Sequence, residues 1–184
     1  MNSAQDVTVL RLGHRPGRDE RITTHVGLTA RALGADRIVF AGAAASRADT
    51  VVDITDRFGG PFDVETTDEP KRRIREFDGT VVHLTMYGEP IQDVEGDIGE
   101  AHQSEPLLVV VGAEKVPFEV YERADYNVGV TNQPHSEIAS LAVFLDRLYG
   151  GRELDREWDD PEQVVIPMAT GKKVVDPEEV EDGD

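Results

Sequence analysis

No cysteine occurs in the 184 residues. That excludes disulfides, thiolate catalysis and any zinc or iron–sulfur site built on cysteine. Lysine is scarce as well: Lys71, Lys115, Lys172 and Lys173 are the only four, so nearly all the basic side chains are Arg. No apolar run approaches the ~20 residues of a membrane-spanning helix, and residues 1–6 lack the charged and apolar regions of a secretory signal. A cytoplasmic protein that touches no membrane is expected. The hydrophobic share, 39%, is below the usual ~45–50%. Those residues gather in dense runs such as 107–111, which rules out global disorder. At ~100–200 residues per domain, the length allows one full domain and a short appendage, not two enzymatic domains.

What is abundant is acid. Asp and Glu number 37 against 19 Lys and Arg, a net charge of −18. The carboxylates are spread over the whole chain, and only 176–184 forms a true acidic run. This distribution favours a protein kept soluble in concentrated salt by its surface carboxylates, as in a salt-in halophile; the alternative is an ordinary acidic protein. In dilute buffer such a chain repels nucleic acid until salt screens the field.

Apolar runs of strand length alternate with segments of helical period, the pattern of an α/β domain with a mostly parallel sheet flanked by helices. Strands are expected at 7–12, 37–41, 81–84, 107–111 and 126–130. Helices are expected at 24–33, closed by Gly34, and after Asp49 as a cap, ending at Gly59-Gly60-Pro61. Others follow at 71–77 behind Pro70, at 89–105 and at 136–149, the last with Ile138, Leu141, Ala142, Leu145 and Leu148 on one stripe. Beyond Gly150-Gly151, two short β pieces at 164–166 and 172–175 precede a disordered tail, 176–184.

Several chemistries drop out for want of their motifs. Gly171-Lys172 is followed by Lys173, and Ile166 stands where a phosphate loop needs its first glycine. No GxGxxG follows 7–12 and no GxSxG exists. His14, His25, His83, His102 and His135 show no HxxxH spacing, so no metal is expected. Three polar loops at strand ends remain: 83–88, 112–117 and 131–137. In open α/β sheets ligands sit beyond the carboxyl ends of strands, so the three together suggest one pocket. Singly each has an ordinary reading: Gly88 and Gly112 as turn formers, Ser136 as an N-cap, Pro117 as a helix start.

The strings Leu10-Arg11-Leu12-Gly13-His14-Arg15-Pro16 and Thr23-Thr24-His25-Val26, the loop 83–88, the segment 110–117 and the stretch 132–148 resemble the archaeal tRNA (cytidine(56)-2'-O)-methyltransferase family. This is a branch of the SPOUT superfamily, whose members bind S-adenosylmethionine in a deep trefoil knot. The resemblance spans roughly residues 7–175. It implies a SPOUT-type parallel sheet with a C-terminal knot over residues 1–150 and an extension over 151–175. It also implies a homodimer and methylation of the ribose 2'-hydroxyl of a cytidine in the T-loop of tRNA.

Carried over residue by residue, the cofactor loops fall on Leu84, on Gly112, Ala113, Glu114, Lys115 and Val116, and on Val130, Thr131, Asn132, Gln133, Pro134, His135, Ser136 and Glu137. Leu84 and Val116 can sandwich the adenine, and backbone amides near Gly112 and Asn132 can meet its edge and the cofactor ribose. Glu114 or Glu137 can face the cationic cofactor, or serve as a helix-start glutamate. For RNA phosphates, Arg15, Arg18 and Arg21 form a basic island, and Arg72 and Arg73 a second one, unless these are ordinary surface pairs. Related ribose methyltransferases are thought to use an arginine at the reacting hydroxyl. Arg21 is the first candidate for that role and Arg15 the second. Two other readings stay open: a non-catalytic dimer that senses S-adenosylmethionine or a nucleotide, and an enzyme of the same superfamily acting on another RNA.

Overall fold

The segment Leu-Leu-Val-Val-Val at Leu107–Val111 is buried throughout, as a central parallel strand must be when helices cover both faces. It is β5 of a sheet ordered β3-β2-β1-β5-β4-β6, all parallel. The other strands are β1 (Val7–Arg11), β2 (Arg37–Ala41), β3 (Asp63–Thr67), β4 (Thr80–Pro90) and β6 (Tyr126–Gly129). The computed structural model describes residues 5–113 and 115–181; Glu114 and part of the acidic tail lie outside it.

Alternate strand residues go to opposite faces. On one face Val9, Phe40, Leu84 and Val109 pack under α1 (Glu20–Ala32), α2 (Ala48–Phe58), α4 (Ile91–His102) and α6 (Glu137–Tyr149). On the other, Leu10, Val39, Val81 and Val110 pack under Ile74 of α3 (Pro70–Arg75) and Val120 of α5 (Phe118–Arg123). The chain winds outward from β1 to β3, crosses the sheet, and fills in β4, β5 and β6. The order therefore reverses between β1 and β5, and the loops that follow these two strands become neighbours.

The structure departs from the expected elements in several places. Helix α1 begins four residues early, at Glu20, because the chain turns tightly at 15–19, with the amides of Arg18 and Asp19 both donating to the Arg15 carbonyl. Asp49 is not the cap of α2: a 3₁₀ turn, Gly42–Arg47, feeds the helix. Asp49 lies instead in the first turn, where the helix dipole favours a carboxylate. Strand β3 was not anticipated, and helix α5 follows Pro117, which the sequence offered only as a helix start without bounds. Strand β4 runs on to Pro90, pairing with β6 up to Leu84 and again from Glu89, so that 85–88 bulge out of the ladder.

Beyond α6, which closes on Gly150 at φ 62°, the extension is fastened to the body. Trp158 lies under the guanidinium of Arg31 at 4.1 Å and near that of Arg156 at 5.0 Å. Gly60 and Asp159 exchange two backbone hydrogen bonds. The two expected β pieces form an antiparallel hairpin, β7 (Val164–Ile166) and β8 (Lys173–Val175). Within the acidic tail, Pro177–Glu181 form a short helix, α7. Among the described residues no helix is long and apolar enough to cross a membrane.

Candidate active site

Beside the bulge of β4 and beyond the carboxyl end of β5, a cavity of about 260 Å³ is bounded by His83, Leu84, Thr85, Met86, Tyr87, Gly112, Ala113, Val116, Tyr121, His135, Glu137 and Ser140. It draws on all three loops singled out in the sequence. Gly112 is required by close approach: a Cβ there would lie 2.1 Å from Cγ2 of Val116, so any side chain would push the loop off itself. Gly88 is constrained likewise, since a Cβ would meet the backbone of Asn127 at 2.4 Å. The Asn132 amide donates to the carbonyls of Met86 at 2.7 Å and Gly88 at 3.0 Å, fixing the loop after β6 against the 85–88 bulge. Helix α6 then starts at the cavity wall, with Ser136 Oγ accepting from the Ala139 amide at 3.2 Å.

Of the expected cofactor residues, Leu84, Gly112, Ala113, Val116, His135 and Glu137 line this cavity. Lys115 and Val116 border a neighbouring apolar hollow under α3 and α5. Val130, Thr131, Asn132, Gln133, Pro134 and Ser136 belong to the adjoining loop rather than to the cavity lining. Glu114 lies outside the described residues. Tyr121 and Ser140 are additions, because each comes from a helix face whose placement depends on the unanticipated packing.

The largest addition is Arg11. Its side chain is 0% exposed. Nη1 donates to the Gly112 carbonyl and stands 3.5 Å from Glu137 Oε1, while Nε reaches Thr23 Oγ1 of α1 at 3.4 Å. Burial lowers the pKa of this guanidinium and Glu137 opposes the shift; an arginine stays charged under such a pull. The signal that could have found this residue is a cation closing a buried strand, Val-Thr-Val-Leu-Arg. His14 Nδ1 shares Thr23 Oγ1 at 2.8 Å, so a polar chain runs from the cavity wall to the loop after β1.

The floor is polar in a defined sense. Asn127 Nδ2 donates to the Tyr121 carbonyl at 2.9 Å, which turns its Oδ1 toward His83 Nδ1, also at 2.9 Å. Nδ1 therefore carries the imidazole proton. Burial lowers the His83 pKa, and the ring is held neutral. Glu137, paired with Arg11 at 3.5 Å, is the one acidic side chain among the described lining residues. The cavity suits a cationic ligand better than a phosphate.

The arginines of the β1–α1 loop differ in their freedom. Arg15 is clamped on the buried Asp19: its Nε and Nη2 donate to the two carboxylate oxygens at 2.9 Å each. The pair holds the Asp19 carboxyl down at about 2. Arg18 and Arg21 are exposed, and their side chains make no hydrogen bond or ion pair with the described residues. In the second basic group Arg72 pairs with Glu69 and Glu76, Arg73 with Glu65, and Lys71 with Glu119.

The family described as tRNA ribose 2'-O-methyltransferase, aTrm56, matches residues 58–175. A protein of Haloarcula marismortui named tRNA (cytidine(56)-2'-O)-methyltransferase is 76% identical over 179 residues, 97% of this chain and 99% of the relative. One of the same name from Thermococcus kodakarensis is 53% identical over 173 residues, 92% of this chain and 96% of the relative. Among solved structures, the SpoU methyltransferase AviRb from Streptomyces viridochromogenes, in complex with the cofactor AdoMet, superposes with a TM-score of 0.54 at 16% identity. That similarity covers 82% of this chain and 59% of AviRb, so this chain spans about three-fifths of the longer protein. The A. aeolicus TrmH/SpoU tRNA modifying enzyme gives a TM-score of 0.54 at 17% identity, over 83% of this chain and 77% of that one. These two structures share the fold.

Proposed function

The chain belongs to the tRNA ribose 2'-O-methyltransferase family, and from that premise we propose that it methylates the ribose of cytidine 56 in tRNA, with S-adenosylmethionine as donor. The observation that carries this reading is the cavity built jointly by the bulge of β4, the loop after β5 and the start of α6, with Glu137 as the acidic side chain among its described lining residues. When bound there, S-adenosylmethionine supplies an electrophilic methyl on a cationic sulfur.

The residues present fit such a ligand. Leu84 and Val116 offer apolar faces for an adenine, the Gly112 loop brings backbone to its edge, and Glu137 presents a carboxylate to positive charge. Arg11 keeps that carboxylate and the Gly112 carbonyl in place. The reacting 2'-oxygen must approach in line with the bond being broken, so the RNA has to be held as firmly as the donor. As the new O–CH₃ bond forms, the hydroxyl proton leaves the oxygen. We assign Arg21, as a charged guanidinium, to orient that hydroxyl and offset the charge that develops on its oxygen, and the proton passes to solvent water. Arg15 stands second because Asp19 already holds it. Arg18 and Arg21 are free to meet phosphates. Arg72 and Arg73 would have to exchange carboxylates for phosphates to do so.

The same reading includes a homodimer, a cytoplasmic location and a trefoil knot. The dimer rests on the family resemblance and the location on the tRNA substrate. Support for the knot comes from Gly88 pressed on the backbone of β6 and from Asn132 pinned to Met86 and Gly88. Calorimetry tests the site: S-adenosylmethionine should bind once per subunit, and ATP should give no heat. Binding of S-adenosylmethionine without methyl transfer to tRNA would favour the sensor reading instead.

A further inference from the structure

A chain with 39% hydrophobic residues and a net charge of −18 has little apolar surface to leave in water. Yet two aromatic rings stand well out: Tyr87 is 76% exposed and Phe118 73%. Both belong to the cavity region. Tyr87 lines the cavity from the 85–88 bulge, and Phe118 opens α5, directly after the loop that forms the opposite wall. Fixed contacts link them. Phe118 stacks on Tyr121 with ring centroids 6.2 Å apart and planes 21° apart. The Tyr121 hydroxyl meets Thr85 Oγ1 at 3.2 Å, and the Tyr87 amide donates to that same Oγ1 at 3.3 Å. Tyr121 is a wall of the cavity, so the shelf begins inside the site and continues into solvent.

We propose that Tyr87 and Phe118 form a stacking platform for unstacked bases of the RNA substrate, next to the ribose that receives the methyl group. This rests on the reading of the cavity as the methyl-donor site of an RNA enzyme. The occupant follows from position and charge. A nucleotide that reaches a methyl group in the cavity has to cross its mouth, where Tyr87 stands. Recognition of loop RNA depends on splayed bases laid against aromatic rings. Charge alone serves this protein poorly, because cations are outnumbered two to one and Lys71, beside Phe118, is already paired to Glu119 at 3.1 Å. Phosphate contacts also lose affinity as salt rises, through lost counterion release. Stacking releases no counterions, so it is the contact that a strongly acidic protein keeps in concentrated salt.

The test compares Phe118→Ala, Phe118→Tyr, Tyr87→Ala and Tyr87→Phe in the full-length chain. KM for a tRNA transcript is measured across a salt series, with S-adenosylmethionine affinity and sedimentation measured in parallel. The two alanine variants should raise the tRNA KM by about 5- to 160-fold, the span of a lost base–aromatic stack. The slope of log KM against log salt should stay that of wild type, and the aromatic replacements should restore the KM. Phe118→Ala should leave S-adenosylmethionine affinity unchanged. An unaltered tRNA KM overturns the proposal. So does a Phe118→Ala protein whose only defect is dissociation of an oligomer, since the ring would then be covered by a second copy. A wild-type chain that binds S-adenosylmethionine but methylates no tRNA overturns the parent reading as well.

Discussion

Arg11 Nη1 donates to the carbonyl oxygen of Gly112 at 2.6 Å, across the boundary where the strand order of the sheet reverses. This bond ties the end of β1 to the first residue after β5, and Glu137 at 3.5 Å brings in the start of α6. All three segments meet at the cavity, so one buried cation sets their spacing. Replacing it leaves a carboxylate and a carbonyl without their donor. Arg11→Met should lower stability by about 1.5–3 kcal/mol, the range for a hydrogen bond to a charged group, and weaken S-adenosylmethionine binding at least tenfold. In a double-mutant cycle with Glu137→Gln the two losses should add to less than their sum. Urea melts and calorimetry on the four proteins give the answer.

Arg21 and Arg15 separate chemistry from architecture. Arg21→Ala should reduce methyl transfer by about 10²–10³-fold, the usual span for a lost donor to a developing oxyanion, with the melting temperature and cofactor affinity near wild type. Arg15→Ala removes the partner of Asp19, which is 2% exposed, so its first effect should be on the melting temperature. Single-turnover rates and thermal melts on both variants distinguish the two roles.

Acid should destabilise the fold before its surface carboxylates titrate. His102 is buried, and burial lowers its pKa from the ordinary 6.5 against the opposing pull of Asp36 and the Glu105 backbone. The unfolded chain takes up that proton near pH 6.5 while the folded one resists. The contribution of His102 is therefore complete above pH 6.5 and is lost as the pH falls through its lowered folded value. Asp36 and Glu153, raised by burial, act in the opposite sense. Asp19 adds a contribution that is complete above about 3.8 and is lost later, as the pH falls through about 2. His83, lowered by burial in the same way as His102, adds to the first decline. A His102→Leu variant should therefore show a shallower first decline than wild type in a stability profile from pH 7.5 to 4.5, and His102→Leu combined with a neutral replacement of His83 a shallower one still.

Salt should help this protein where it harms most RNA-binding proteins. At ~1 M the Debye length is about 3 Å, so repulsion among distant carboxylates, and between them and tRNA, is screened while direct contacts persist. Activity and melting temperature should both rise from dilute buffer toward molar potassium chloride. A rate that falls steadily from the lowest salt, with a constant melting point, would mark the acid surface as ordinary. The close relatives from halophilic archaea carry the same expectation.

The sequence revealed elements whose own residues decide their state. Strands β2 and β5 were read at their true bounds, because five consecutive apolar or half-buried residues leave no other register. The stripe and caps of α6 placed it to within a residue. Strand β3 was missed because Asp-Val-Glu-Thr-Thr lies on the sheet edge, half-buried or exposed, and is held by pairing to β2 alone. The six residues of α5 are too few to show a period. The three loops of the cavity were legible one by one, as Gly- and Pro-containing strand ends. What escaped was the interior. Arg11 and Gly112 are 101 positions apart, and their contact depends on a strand order that periodicity does not encode. Tyr121 and Ser140 were hidden for the same reason.

The central claim is one methyl group at one ribose. Purified protein, S-adenosylmethionine carrying a labelled methyl and an unmodified tRNA transcript should yield, after nuclease digestion and mass spectrometry, a single labelled 2'-O-methylcytidine at position 56. Label on a base, on another ribose, or nowhere in the RNA despite cofactor binding would contradict the account.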